Sequence, residues 1–476
     1  MTKKEPIELT NSRYRLGYHV AAPSGWINDP NGFCYFDGYY HVFYQHYPYS
    51  AEWGPMHWGH ARSKDLVHWE SLPIALTPGD KEDEDGCFSG SAIEKDGVLY
   101  LFYTGHHYYG DGDKDHFWQN QNMAYSTDGI HFTKYENNPI IAKEPGDNTH
   151  HFRDPKVWEK DGVYYMILGS QGEDGLGRAI VYSSKDLLDW EYEGPISRAN
   201  GLKTEGFMWE CPDFFNLDGK DILLLSPQGI DAQGKDYLNL FQTGYFIGDY
   251  DYKTATFTRG EFHELDKGHD FYATQTTEAP DGRRIVIAWM DMWESLLPEQ
   301  EDGWAGALTI PRELRLKNDH LYMTPVKELE DLRIKEVSND SSVVAKELLV
   351  AEDASSSEVL IDIPLTGTNQ EEVSFSLKTS NEELVLLTYS KATNEFILKR
   401  SDKDDLRYGT IQPCDKLSLR VFIDTSSIEI FINEGELVFT ERFYTGEKTD
   451  VCVTVSEEET ISYTVYQLDD NAVSYN

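Results

Sequence analysis

A unit of about sixty residues recurs five times in the first two thirds of the chain, and it limits the fold more than any other feature. In each copy a short apolar strand meets Asp-Gly and a second apolar strand follows. The copies are GFCYF, Asp37-Gly38, YYHVFYQH; SAIEK, Asp96-Gly97, VLYLFYTG; KVWEK, Asp161-Gly162, VYYMILG; DFFNL, Asp218-Gly219, KDILLLS; and QTTEAP, Asp281-Gly282, RRIVIAWM. Asp-Gly favours a tight hairpin because both turn residues can take positive φ. Other Asp-Gly pairs begin at Asp85, Asp111, Asp128 and Asp174, so the flanking strand pattern, not the dipeptide alone, picks out the five.

A second element keeps the same period. Ser63-Lys64-Asp65-Leu66-Val67-His68-Trp69 returns as Ser126-Thr127-Asp128-Gly129-Ile130-His131-Phe132, and again as Ser183-Ser184-Lys185-Asp186-Leu187-Leu188-Asp189-Trp190. Each follows its hairpin at a similar distance, where the third and fourth strands of a four-stranded blade would join. Five such units closed in a ring make an all-β fold, a five-bladed β-propeller whose first strands line a central channel. Residues 1–323 are assigned to it.

The pattern changes after IPRELRLKNDHLYM. Thr324-Pro325 can cap a short helix from Val326 to Arg333, with Val326, Leu329 and Leu332 on one face. This helix sits in a linker assigned to residues 324–340. From about Val343 short alternating strands follow one another, which predicts a C-terminal β-sandwich over residues 341–476. It shows no cluster of catalytic groups, so support or sugar contact is expected of it.

The chain carries 83 acidic against 42 basic residues, a formal net charge of −41. Such a surface repels phosphodiester backbones and anionic lipids, so no nucleic acid and no membrane partner is expected. Aromatic residues reach 13%, with 30 Tyr and 11 Trp. They fill strands, and they also offer faces for sugar rings. Residues 1–15 lack the apolar run of a secretory signal, and no stretch approaches the ~20 apolar residues of a membrane span. Five scattered cysteines without a CxxC pair read as reduced thiols. The expected location is cytoplasmic, with an exported chain shorn of its signal as the alternative.

Three acids fall at the same place in their repeats. Asp29 and Glu210 stand eight residues before Asp37 and Asp218, and Asp154 stands seven before Asp161. That is the entrance of the innermost strand, and equivalent positions in a ring point at one axis. Carboxylates converging there repel one another, which marks a functional site. Arg153 beside Asp154 can keep it ionised. Glu210, between Trp209 and Cys211-Pro212, lies among apolar groups that disfavour charge, as suits a general acid.

The segments WINDPNG, FSGS, FRDP and WECP, in this order, resemble those of glycoside hydrolase family 32, the β-fructofuranosidases. DFYATQ, WAGALTIPREL and VFIDTSSIEIFINEG extend the resemblance over the whole chain. Ile27 replaces the Met of many members, a conservative apolar change. The resemblance implies Asp29 as nucleophile on a terminal β-fructofuranosyl unit, Glu210 as acid and then base, and Asp154 as transition-state stabiliser. It also implies retention through a covalent intermediate, for which nucleophile and acid lie about 5–5.5 Å apart. Asn28, Gln45, Trp53, Phe88, Ser89 and Arg153 would hold the fructose, with Tyr272 and Trp289 at the pocket rim.

The expected partner is therefore a small-molecule sugar: sucrose or a short fructo-oligosaccharide. Sucrose-6-phosphate hydrolysis, which needs a Lys or Arg at the pocket mouth, is the nearest rival. Fructosyl transfer is a second, and a catalytically silent sugar-binding propeller is the rival of another class. A homo-oligomer stays open. Asp111–Asp115 begins like a calcium loop but lacks its sixth-position Gly and twelfth-position Glu, so it reads as a solvated loop. His106-His107 and His150-His151 have a spacing unsuited to a metal and read as loop or rim residues. No metal and no cofactor is expected, since two carboxylates suffice.

Overall fold

The computed structural model describes residues 4–367 and 369–475; the outermost ends of the expected domains, residues 1–3 and 476, lie outside them. The chain is all-β among these residues, with five successive antiparallel sheets followed by two six-stranded sheets. The five sheets begin with strands Gly25–Phe36, Gly86–Lys95, Asn148–Lys160, Met208–Leu217 and Tyr272–Glu278. Each of these first strands packs against the first strand of the next sheet, and the fifth packs against the first, so they form a closed circle. Two parallel pairings join distant segments to the first sheet. Trp304–Ala305 runs beside Gly25–Trp26, and Val473–Ser474 runs beside Trp69–Glu70.

Four of the five Asp-Gly hairpins have both residues at positive φ, with Asp37 at 47° and Gly38 at 84° as the first. The fifth differs. Only Gly282 is positive, and the strands on either side end at Glu278 and resume at Arg284. The longer loop does not require the tight turn. The second repeat forms one turn three times: Ser63, Ser126 and Ser184 donate to Asp65, Asp128 and Asp186, whose carboxylates accept the next backbone N–H groups. In each copy it joins the third strand of a sheet to the fourth.

The expected helix is smaller than its sequence pattern suggests. It is a 3₁₀ turn, Lys327–Leu332, with Leu329 and Leu332 buried. Residues 333–340, assigned to the linker, lie instead in a strand, Arg333–Val344, paired along its length with Glu459–Leu468. Its polar side chains hide it because it is an edge strand, largely exposed. The two six-stranded sheets share a core that includes Ile361, Phe375, Leu387, Val421, Ile430 and Val453. Buried ion pairs tie these sheets to the circle of five: Arg312 bridges Asp266 and Glu429, and His19 lies between Asp424 and Glu429.

Candidate active site

The three acids do not stand at strand entrances. Each lies within its strand, at or beside a break in the pairing register. The ladder of the first sheet slips between Ile27 and Pro30, that of the third across Asp154-Pro155, and that of the fourth between Glu210 and Asp213. The proline in each segment (Pro30, Pro155, Pro212) has no N–H to donate, so regular pairing cannot pass through it. Such bulges re-aim side chains. Asp154 and Cys211 accordingly take positive φ, 65° and 48°.

Asp29, Asp154 and Glu210 line one cavity of about 240 Å³. Asp29 Oδ2 accepts from the Ser89 hydroxyl at 2.7 Å, and Oδ1 accepts from Asn28 Nδ2 at 3.0 Å. Asp154 Oδ2 accepts from the Cys211 N–H at 2.9 Å. Burial, then the charge of Glu210, pushes Asp29 above the ordinary carboxylate range, against the bonds from Ser89, Asn28 and Cys211. Asp154 is also pushed up, chiefly by burial; the Arg153 charge opposes this, while Glu210 and Asp29 add to it.

Glu210 sits in a polar setting, not the apolar one expected. Arg153 donates to its Oε1 through Nε at 3.1 Å and Nη2 at 2.8 Å. Gln228 donates to Oε2 at 2.9 Å, and the Tyr272 hydroxyl donates to the same oxygen at 2.5 Å. Arg153 thus holds Glu210 and makes no hydrogen bond to its sequence neighbour Asp154. Successive side chains of a strand point to opposite faces, and the bulge adds a further turn between the two.

Asn28, Gln45, Trp53, Phe88, Ser89 and Arg153 all line the cavity. Gln45 is anchored by donating to the Cys87 carbonyl at 3.0 Å. Trp53 meets Phe88 edge-on. Tyr272 and Trp289 are not at the rim. Both are buried, Tyr272 beneath Glu210 and Trp289 behind Trp26 and Trp293. Trp293 lines the cavity instead. The strand alternation that turns Trp289 inward ends there, and Trp293 lies in the following loop.

The cavity also takes His106, Lys114 and His151, none of which the sequence pattern placed in it as a binding residue. His106 and His151 lie in strands, not loops. His106 stacks face to face on Phe88 with ring centroids 4.2 Å apart, and burial lowers its pKa to about 3. Lys114 is exposed in the acidic loop, which does project into solvent. Among the described residues no group of His, Cys, Asp and Glu is arranged to hold a metal ion, and no helix is long and apolar enough to cross a membrane. All five cysteines are free.

The family model described as "Glycosyl hydrolases family 32 N-terminal domain" matches residues 19–325, and the corresponding C-terminal model matches residues 328–468. The chain belongs to glycosyl hydrolase family 32. This family 32 chain is 42% identical over 436 residues to a sucrose-6-phosphate hydrolase of Escherichia coli, covering 90% of the chain and 88% of that relative. A raffinose invertase of Escherichia coli is 40% identical over 431 residues, covering 90% and 89%. A variant of a GH32 beta-fructofuranosidase from Bombyx mori, solved in complex with sucrose, superposes with a TM-score of 0.87 at 39% identity, covering 98% of the chain and 96% of that one. The chain is a glycosidase.

Proposed function

We propose that this glycosidase releases terminal non-reducing β-D-fructofuranosyl units from sucrose and short fructo-oligosaccharides, with retention. One observation carries the reading: three carboxylates from three separate strands line a single cavity smaller than the roughly 300–1,000 Å³ typical of drug-sized ligands. Asp29 attacks the anomeric carbon. Glu210, aimed by Arg153 and Tyr272, protonates the departing oxygen and then takes a proton from the incoming water. Asp154 binds fructose hydroxyls as positive charge develops on the ring. Asn28, Gln45 and Ser89 hold the sugar, and Trp53, Phe88 and Trp293 give it an apolar wall.

In the same reading the five sheets are the blades of a propeller and the two six-stranded sheets a sandwich. The linker between them shrinks to residues 326–332, because His320–Pro325 is still a strand of the fifth sheet and Arg333–Val344 is already a strand of the sandwich. Five free cysteines accord with a cytoplasmic chain, and the acidic composition accords with a chain that has no nucleic-acid or membrane partner. Initial rates on sucrose, sucrose-6-phosphate, a short fructo-oligosaccharide and inulin, measured side by side with an Asp29→Asn control, test the proposal. Absence of free fructose from all four with the wild-type protein would overturn it.

Lys114 favours a second reading. It is the cation at the cavity mouth that sucrose-6-phosphate would need, and no ion pair engages it among the described residues. If the phosphorylated sugar is the substrate, Lys114→Ala lowers kcat/KM on it about tenfold more than on sucrose. Equal effects on both sugars would remove this reading.

A further inference from the structure

The segment that supplies Trp293 is an excursion, residues 290–311, between the second and third strands of the fifth sheet. It is held near its start and near its middle by one side chain from outside the circle of five sheets. Arg442 ends the last strand, Leu437–Arg442, of a C-terminal sheet. Its Nη1 pairs with Asp291 at 3.2 Å and its Nη2 with Glu299 at 3.1 Å. All three side chains are essentially inaccessible, so these are ion pairs without solvent to replace either partner.

From that anchor two routes reach the cavity. Trp293 lies two residues beyond Asp291 and stacks on Trp26, with ring centroids 5.9 Å apart and planes 22° apart. The Trp26 indole donates to Asn28 at 2.7 Å, and Asn28 donates to Asp29 at 3.0 Å. On the other side, Gln300 follows Glu299 and donates to the Ala51 carbonyl at 3.0 Å, fixing the loop that presents Trp53. Trp293 and Trp53 are therefore both set by a segment whose position depends on Arg442.

We propose that Arg442 is a positioning residue for the aromatic wall of the sugar cavity, so that the C-terminal sheets help shape substrate binding in a site built on other strands. The guanidinium suits the task because its planar fork can serve two carboxylates in fixed directions, which a lysine cannot. Trp293 and Trp53 both belong to the wall of the cavity and neither touches the carboxylates through a hydrogen bond, so loosening them weakens binding more than it alters the three carboxylates. The proposal rests on the reading of the cavity as a fructoside site.

The test uses the full chain with 5-fluorotryptophan incorporated. The Trp293 ¹⁹F resonance is assigned by its loss in Trp293→Phe. Arg442→Met is expected to move or broaden that resonance, and to raise KM for sucrose about tenfold while kcat falls less than about threefold. The KM effect should be non-additive: Arg442→Met in a Trp293→Ala background should add little further. Because a lone buried carboxylate can unfold the chain, the triple variant R442M/D291N/E299Q, which leaves no unpaired charge, is run in parallel and should show the same KM change. A folded triple variant with an unmoved Trp293 resonance and unchanged KM overturns the proposal, as does full additivity with Trp293→Ala. Failure of the wild-type protein to cleave sucrose would count against the functional reading instead, and the ¹⁹F signal would still decide whether Arg442 sets Trp293.

Discussion

The thiol of Cys211 donates to Oδ2 of Asp29 across 3.4 Å. The backbone N–H of the same residue serves Asp154, and its neighbour is Glu210, so one bulge in the fourth sheet touches all three carboxylates. The positive φ at Cys211 makes this arrangement, because it turns the N–H and the side chain away from the ladder.

Ser89 and Cys211 both donate to the ionised form of Asp29, and both bonds pull its pKa down against burial. Removing either donor leaves the charged nucleophile less favoured. Ser89→Ala and Cys211→Ala should each move the acid limb of the kcat/KM profile to higher pH, with the alkaline limb less affected. A profile of kcat/KM on sucrose against pH checks this. A shift to lower pH would show that these contacts do not serve the charged carboxylate.

Glu210→Gln keeps the shape of the side chain but cannot give a proton. The loss should be about 10²–10⁴-fold on sucrose, whose leaving group needs protonation, and much smaller for the first step on β-fructosyl fluoride, whose leaving group does not. Pre-steady-state release of fluoride makes the comparison. Equal losses on the two donors would take the acid role from Glu210.

Asp154 is more basic folded than unfolded, so near neutral pH the folded state bears the cost of a buried charge. Its stabilising contribution exists where the carboxyl is protonated in both states, and it is lost as pH rises through the raised folded pKa. Asp154→Asn should therefore gain about 1 kcal/mol of stability near neutral pH, a rise of about 1–2 °C in Tm, while losing most activity. Thermal melts at two pH values, one near neutral and one below the ordinary carboxylate range, test it. The gain should vanish at the lower pH.

His19 behaves in the opposite sense. Burial alone would lower its pKa, but bonds from Nδ1 to Asp424 at 2.7 Å and from Nε2 to Glu429 at 2.6 Å outweigh it and raise it to about 9. Its stabilisation is complete below the unfolded value of 6.5 and disappears as pH passes about 9. The Tm difference between wild type and His19→Gln should be widest near pH 6 and should shrink steadily on the alkaline side. A difference that is constant with pH would mean that folding leaves the imidazole pKa unchanged.

The repeat, four of the five Asp-Gly turns and the Ser-x-Asp turns were legible because each depends on residues close in sequence. So were the three acids, since their common offset from the hairpins survives whatever the rest of the chain does. The bulges that carry them were signalled only by Pro30, Pro155 and Pro212, which read equally well as strand entrances. What escaped was long-range. The partner of Arg153 is Glu210, fifty-seven positions away, and not its neighbour Asp154. Nothing local separates a buried Trp289 from a cavity-lining Trp293. The strand Arg333–Val344 was hidden because an exposed edge tolerates polar residues on both faces.

The central claim is that Asp29 becomes covalently bound to fructose, and mass spectrometry of the trapped protein tests it most directly. In Glu210→Gln, β-fructosyl fluoride should load the nucleophile while the missing base slows hydrolysis. After a rapid acid quench and proteolysis, the peptide containing Asp29 should be heavier by one fructosyl unit, and the adduct should be absent from Asp29→Asn. An adduct on a peptide without Asp29, or turnover of the fluoride to fructose of inverted configuration with no adduct, would contradict the account.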